Sequence, residues 1–232
     1  MQIPLSQDVP EPIRALVGER IEPFLRDVHV MLRFPTRGGG GDEPGFNFSV
    51  ASALFSVIGG FSRVFFSAIK DDKASFCTAA EKYPLREEPW TDYHNDRSLF
   101  SIELYKSYRC NLVHSLGLTT EWSNTAKRHE VVTHGTYRKV TRQRELPRTE
   151  QQLAELDIVL QRPDWLGPTL SAADGAIRLN ADALYWGVRR LTRDLAEDRS
   201  LRADAGQFVL PWFRTRQTHS STGPMTVTAD WK

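Results

Sequence analysis

The sequence predicts a mainly α fold, a helical bundle with a small α+β elaboration of short β-hairpins in the C-terminal half. Three observations predict it. Apolar residues recur at three- and four-residue intervals over several long segments, as one buried helix face requires. Capping residues and stop signals bound those segments. A Val, Thr and Tyr texture, the mark of strands, appears only from about His129 onward.

The first helix spans Glu11 to Phe34, where Ile13, Leu16, Val17, Ile21, Phe24, Leu25, Val28 and Leu32 keep helical spacing, with a kink expected at Pro23. Pro35 to Pro44 then carries four consecutive glycines and reads as a loop. It lacks the preceding strand and the Gly-Lys-Ser/Thr ending of a phosphate cradle and carries Asp42 and Glu43, which disfavours phosphate binding. The segment Gly45 to Phe66 approaches the length of a membrane span, but Asn47, its serines, Gly59, Gly60 and Arg63 interrupt it. A buried core helix over Gly45 to Lys70 is the expectation, followed by a shorter helix from Lys73 to Tyr83 that stops before Pro84.

Leu85 to Asp96 is a polar connection in which Asp92, His94 and Asp96 alternate, a spacing that suits metal ligands on an extended segment. A helix cap by Asn95 or Asp96 is the favoured reading, because an amphipathic helix begins near Arg97 and runs to Leu116 before Gly117. Beyond it, His129 to Thr141 reads as two short strands around a turn, and Arg148 to Leu160 as a helix. Thr169 to Leu179 reads as a strand pair around Asp174-Gly175. Asn180 then caps an amphipathic helix carrying Leu184, Val188, Leu191 and Leu195. Residues 11–206 are expected to form one globular domain, with bundle 11–117 and elaboration 118–206, and residues 207–232 an extended C-terminal tail.

Composition excludes several classes. With 40% hydrophobic and 25% charged residues the chain is neither disordered nor fibrous. Lys and Arg total 30 against 29 Asp and Glu, so no general field draws it to nucleic acid or to anionic membranes. The two cysteines, Cys77 and Cys110, lie in apolar helical contexts and read as reduced thiols. The N-terminus lacks the pattern of a signal peptide. A cytoplasmic protein without membrane or cofactor is the expectation.

One motif bears chemistry. Tyr105-Lys-Ser-Tyr-Arg109-Cys-Asn-Leu-Val-His114 resembles the Arg-x4-6-His motif of the HEPN superfamily, helical-bundle proteins that include metal-independent endoribonucleases. The resemblance covers this helix and, loosely, the helices back to Gly45. It implies cleavage through attack of the ribose 2′-hydroxyl on the adjacent phosphate, with His114 as general acid or base and Arg109 binding the phosphate charge. Active members often carry Asn, Asp or His directly after the motif arginine. Here Cys110 stands there, with Asn111 next to it as the substitute. Many members are scaffolds rather than enzymes.

Arg128 to His134 and Arg214 to His219 satisfy the same spacing, so the helical context singles out Arg109 and His114. Residues five apart on a regular helix sit about 140° apart around its axis. A composite site would therefore need a helix distortion near Gly117 or a second copy of the helix, and a homodimer is expected. The plain alternative pairs Arg109 with Glu103 or a neighbouring acid. A basic stretch of Lys127, Arg128, Arg138, Lys139, Arg142 and Arg144, with Tyr137 to stack a base, suits RNA or is the solvated face of a hairpin. Two functions follow from different classes: an RNA-binding or RNA-cleaving protein, and a non-catalytic dimeric interaction protein.

Overall fold

Two long apolar rows explain how the helical part folds. Ile13, Val17, Ile21 and Leu25 recur every four residues in the first, and Phe100, Leu104, Tyr108 and Leu112 in the second. On an α-helix four residues overshoot a full turn by about 40°, so such a row drifts off its face. Both rows contain a looser π turn, with i→i+5 bonding, that winds this drift back. In the computed structural model, which describes residues 2–33, 47–83, 85, 96–114, 128–132, 168–173 and 175–219, α1 (Glu11–Leu16) passes through a π turn at Val17–Ile21 into α2 (Glu22–Arg33). Likewise α5 (Arg97–Glu103) passes through a π turn at Leu104–Arg109 into α6 (Cys110–His114). The rows stay buried: Ile13, Val17, Leu25, Phe100, Leu104, Tyr108 and Leu112 are all in the core.

The expected kink at Pro23 takes a different form. Pro23 cannot donate to the Glu19 carbonyl and its ring crowds that group, and the chain widens into the π turn just before it.

Helix α3 (Asn47–Phe65) is the element against which α2, α4 (Asp72–Lys82) and α6 pack. By length and composition Phe48–Phe65, with a mean hydropathy of 1.5, passes as a candidate membrane span, yet 56% of it is buried within the chain. Val50, Leu54, Phe55, Ile58, Phe61 and Phe65 lie in the core, as the core-helix reading expects. Asp71 caps α4 by accepting from Ala74 N–H at 2.6 Å, and Asp96 caps α5 by accepting from Ser98 and Leu99 N–H. Each such cap contributes about 1 kcal/mol. The cap reading of Asp96 thus holds, while Asp92 and His94 lie outside the described residues.

A three-stranded sheet in the order β1-β3-β2 lies in the C-terminal half. β2 (Leu170–Ala173) and β3 (Ala176–Asn180) form the expected antiparallel hairpin, with Leu170 opposite Leu179 and Gly175 at φ 73° in the turn. β1 (Arg128–Val132) forms too, but among the described residues its partner is β3, in parallel, rather than the strand expected next in sequence. His129 stands beside Ile177 and Val131 beside Leu179, so burying Val131, Ile177 and Leu179 together decides the pairing. Asn180 caps α7 (Ala181–Glu197), which packs on α3 and buries the four expected leucine and valine positions.

A 3₁₀ turn at Arg199–Leu201 leads to α8 (Arg202–His219). This corrects the extended-tail reading for residues 207–219. Leu201, Ala205, Val209 and Phe213 form a buried row, and their burial outweighs the backbone hydrogen bond that Pro211 removes inside the helix. The loop at 35–44, most of the 85–96 connection, the second strand of the 129–141 pair, the helix at 148–160 and residues 220–232 lie outside the described residues.

Two aspartates tie α8 and its entrance to the rest. Asp8 accepts from Ser6, from Arg199 Nη2 at 2.6 Å and from Arg202 Nη2 at 3.2 Å. Those bonds, the Ser6 hydroxyl first, hold its carboxyl well below the usual range. Partial burial opposes ionisation of Asp198, but bonds from Ser200, Tyr83 and Lys82 outweigh it and lower its pKa as well. Both groups bind a proton in the unfolded chain near 3.8 and only at lower pH in the native one. Their stabilisation is therefore present above about pH 4 and is lost as the pH falls below it. Urea unfolding midpoints between pH 6 and pH 2.5 should fall on the acid side, and Asp198→Asn should flatten that fall. Parallel curves for the two proteins would refute the assignment.

Candidate functional site

The motif arginine lies where three helices meet. The π turn carries Tyr105 and Arg109 toward the start of α4, where Asp72 occupies the first turn and its charge is favoured by the helix dipole. Arg109 Nη2 contacts Asp72 Oδ2 at 2.7 Å. Tyr105 donates its hydroxyl to the same oxygen at 3.1 Å, and burial together with that bond pushes the hydroxyl up to about 12. The guanidinium carbon lies 4.8 Å from the Tyr105 ring centre and 5.8 Å from that of Phe76. On the α3 side the guanidinium lies against Gly59, where an added Cβ would meet it at 3.6 Å, an ordinary van der Waals contact. Arg63 reaches Asp72 Oδ1 only at 3.9 Å and is largely exposed, so water screens that pair.

Arg109 is thus an anchored cation. Its side chain is 17% exposed, its charge faces a carboxylate, and its guanidinium carbon lies over two aromatic rings. Asp72 partly neutralises the charge that a phosphate would use.

A second polar joint ties the motif helix to the sheet. Glu103 Oε1 lies 2.7 Å from His129 Nε2, and Tyr108 donates its buried hydroxyl to the Ile177 carbonyl at 2.8 Å. Burial raises the Tyr108 pKa far above that of a free phenol. The His129 ring stands edge-on to the Tyr108 ring at 5.4 Å. Arg109 therefore pairs with a neighbouring acid, Asp72, while Glu103 serves His129.

Asn111 donates its side-chain amide to the Ser107 carbonyl at 2.9 Å, one turn back on its own helix. His114 closes α6, and its side chain lies outside the described residues. The turn between Arg109 and His114 is α-helical and a π distortion precedes it, while the distortion expected near Gly117 lies outside the described residues. Of the basic stretch only Arg128 is described, as the first residue of β1, without its side chain. Lys127, Tyr137, Arg138, Lys139, Arg142 and Arg144 lie outside the described residues.

Sequence reasoning missed Asp72, Phe76 and Gly59 as partners of Arg109. The acidic start of α4 was visible, but its meeting with a residue 37 positions later depends on how α4 and α5 pack. Cys77 and Cys110 are both free thiols, and burial raises the Cys77 pKa. Among the described residues no group of three His, Cys, Asp or Glu side chains could hold a metal ion. No protein-family model, curated protein or solved structure matches the chain.

Proposed function

We propose that the chain is a non-catalytic interaction protein of HEPN-like type, in which the motif arginine serves architecture rather than phosphate chemistry. The observation that carries this reading is the 2.7 Å contact between Arg109 and Asp72, made on a shelf of two aromatic rings. A carboxylate held there occupies the charge that a scissile phosphate would need. The Asn111 amide bond to its own helix supports the same reading. The protein works as a homodimer in the cytoplasm, in keeping with its thiols and neutral charge balance.

Two measurements test the reading. Purified protein should leave varied single-stranded RNAs intact in the presence of a chelator, and Arg109→Ala and Asp72→Ala should each lower stability by about 1–2 kcal/mol, discounted for the partial exposure of Asp72. Their double-mutant cycle should show a coupling near 1 kcal/mol. Chelator-resistant cleavage abolished by His114→Ala would establish the endoribonuclease instead.

A further inference from the structure

Helix α3 presents a second feature on another side. Gly59 and Arg63 face the ion pair, whereas Val57, Gly60, Phe61 and Val64 line a groove whose opposite wall is Leu16, Ile21 and Phe24. The groove encloses about 320 Å³ and is almost wholly apolar. Phe61 is buried in its floor, while Phe24 stays 38% exposed at its wall.

Two observations say what fits there. The first is Gly60, in the interior of α3, where glycine costs about 1 kcal/mol relative to alanine. An added Cβ at Gly60 would meet nothing within 4 Å among the described residues, so no contact among them requires glycine. Its missing side chain keeps the groove open, as close approach of another helix demands. The second is Arg20, which lines the groove and rests over the Trp212 ring at 5.8 Å. It has no acidic partner among the described residues.

We propose that this groove is a docking site for an amphipathic helix of a partner protein, which lays apolar side chains between the π-turn–α2 wall and α3 and sets an acidic residue against Arg20. Each wall covers eight residue steps, Leu16 to Phe24 and Ser56 to Val64, or about 12 Å of helix. That length accepts anchors at i, i+4 and i+7, which span about 10 Å. Walls made of helices offer no strand edge for an extended peptide, and their ridges favour a third helix. The proposal goes beyond the reading of Arg109, since the groove stands whether or not the chain cleaves RNA.

The test uses the full chain and a fluorescent amphipathic peptide of about four turns, with leucine anchors and a glutamate beside them, next to its lysine counterpart. The glutamate peptide should bind saturably and the lysine peptide at least about tenfold more weakly. Gly60→Leu should fill the groove and weaken binding about tenfold or more, with circular dichroism and melting temperature showing an intact fold. Arg20→Glu should reverse the preference between the peptides, a readout that stands even if Gly60→Leu misfolds. Equal binding by the variants, or no binding by wild type, would overturn the proposal. A wild-type dimer that Gly60→Leu dissociates, without peptide binding, would assign the groove to a second copy and overturn it as well.

Discussion

Phe55→Ala is expected to lower folding stability by about 3–5 kcal/mol, the range for truncating a fully buried aromatic side chain. Phe55 is completely buried at the middle of α3 and sits 6.2 Å, ring to ring, from Phe76 on α4. Removing the ring leaves a cavity between helices that are held on several sides, so the walls relax little. The loss should also loosen the shelf beneath Arg109, because Phe76 belongs to both. Chemical denaturation followed by circular dichroism measures it. A loss below about 1 kcal/mol, the level of an exposed site, would mean that α3 is not the centre of the core.

Gly187→Ala is expected to cost about 2–4 kcal/mol, against the ordinary preference of a helix for alanine. Gly187 lies within α7, where an added Cβ would stand 2.2 Å from the Leu85 carbonyl oxygen and 3.0 Å from its carbon. These are backbone atoms, which cannot swing aside as a side-chain end would, so α7 or the chain at Leu85 must shift. Gly60→Ala is the matched control: it is also within a helix and meets nothing, and it should gain about 0.5–1 kcal/mol. If both variants were stabilised alike, Leu85 would not be seated on α7.

Much of the fold was legible because it follows from local rules. The helices at 97–114 and 181–197, the cap at Asp96, the cap at Asn180 and the hairpin turning at Gly175 each follow from a few neighbouring residues. The apolar helix α3 was legible as a core element from its interruptions. The two π turns carried a signal in the strict four-residue rows at 13–25 and 100–112, since an unbroken α-helix would let such rows drift. The helix at 202–219 was obscured by Pro211 and by polar residues around its buried row. Only the rest of the core, by covering Val209 and Phe213, outweighs them.

The candidate site divides in the same way. The sequence by itself determined that Arg109 lies on an amphipathic helix, with Asn111 and His114 in the turn beyond it, because spacing and capping are local properties. Only the tertiary structure decided that Arg109 pairs with Asp72 above two aromatic rings, that β1 pairs in parallel with β3, and that Gly187 lies against the Leu85 backbone. Each of these joins residues far apart in the chain. Burial of all the apolar rows at once brings them together, and no segment can specify that alone.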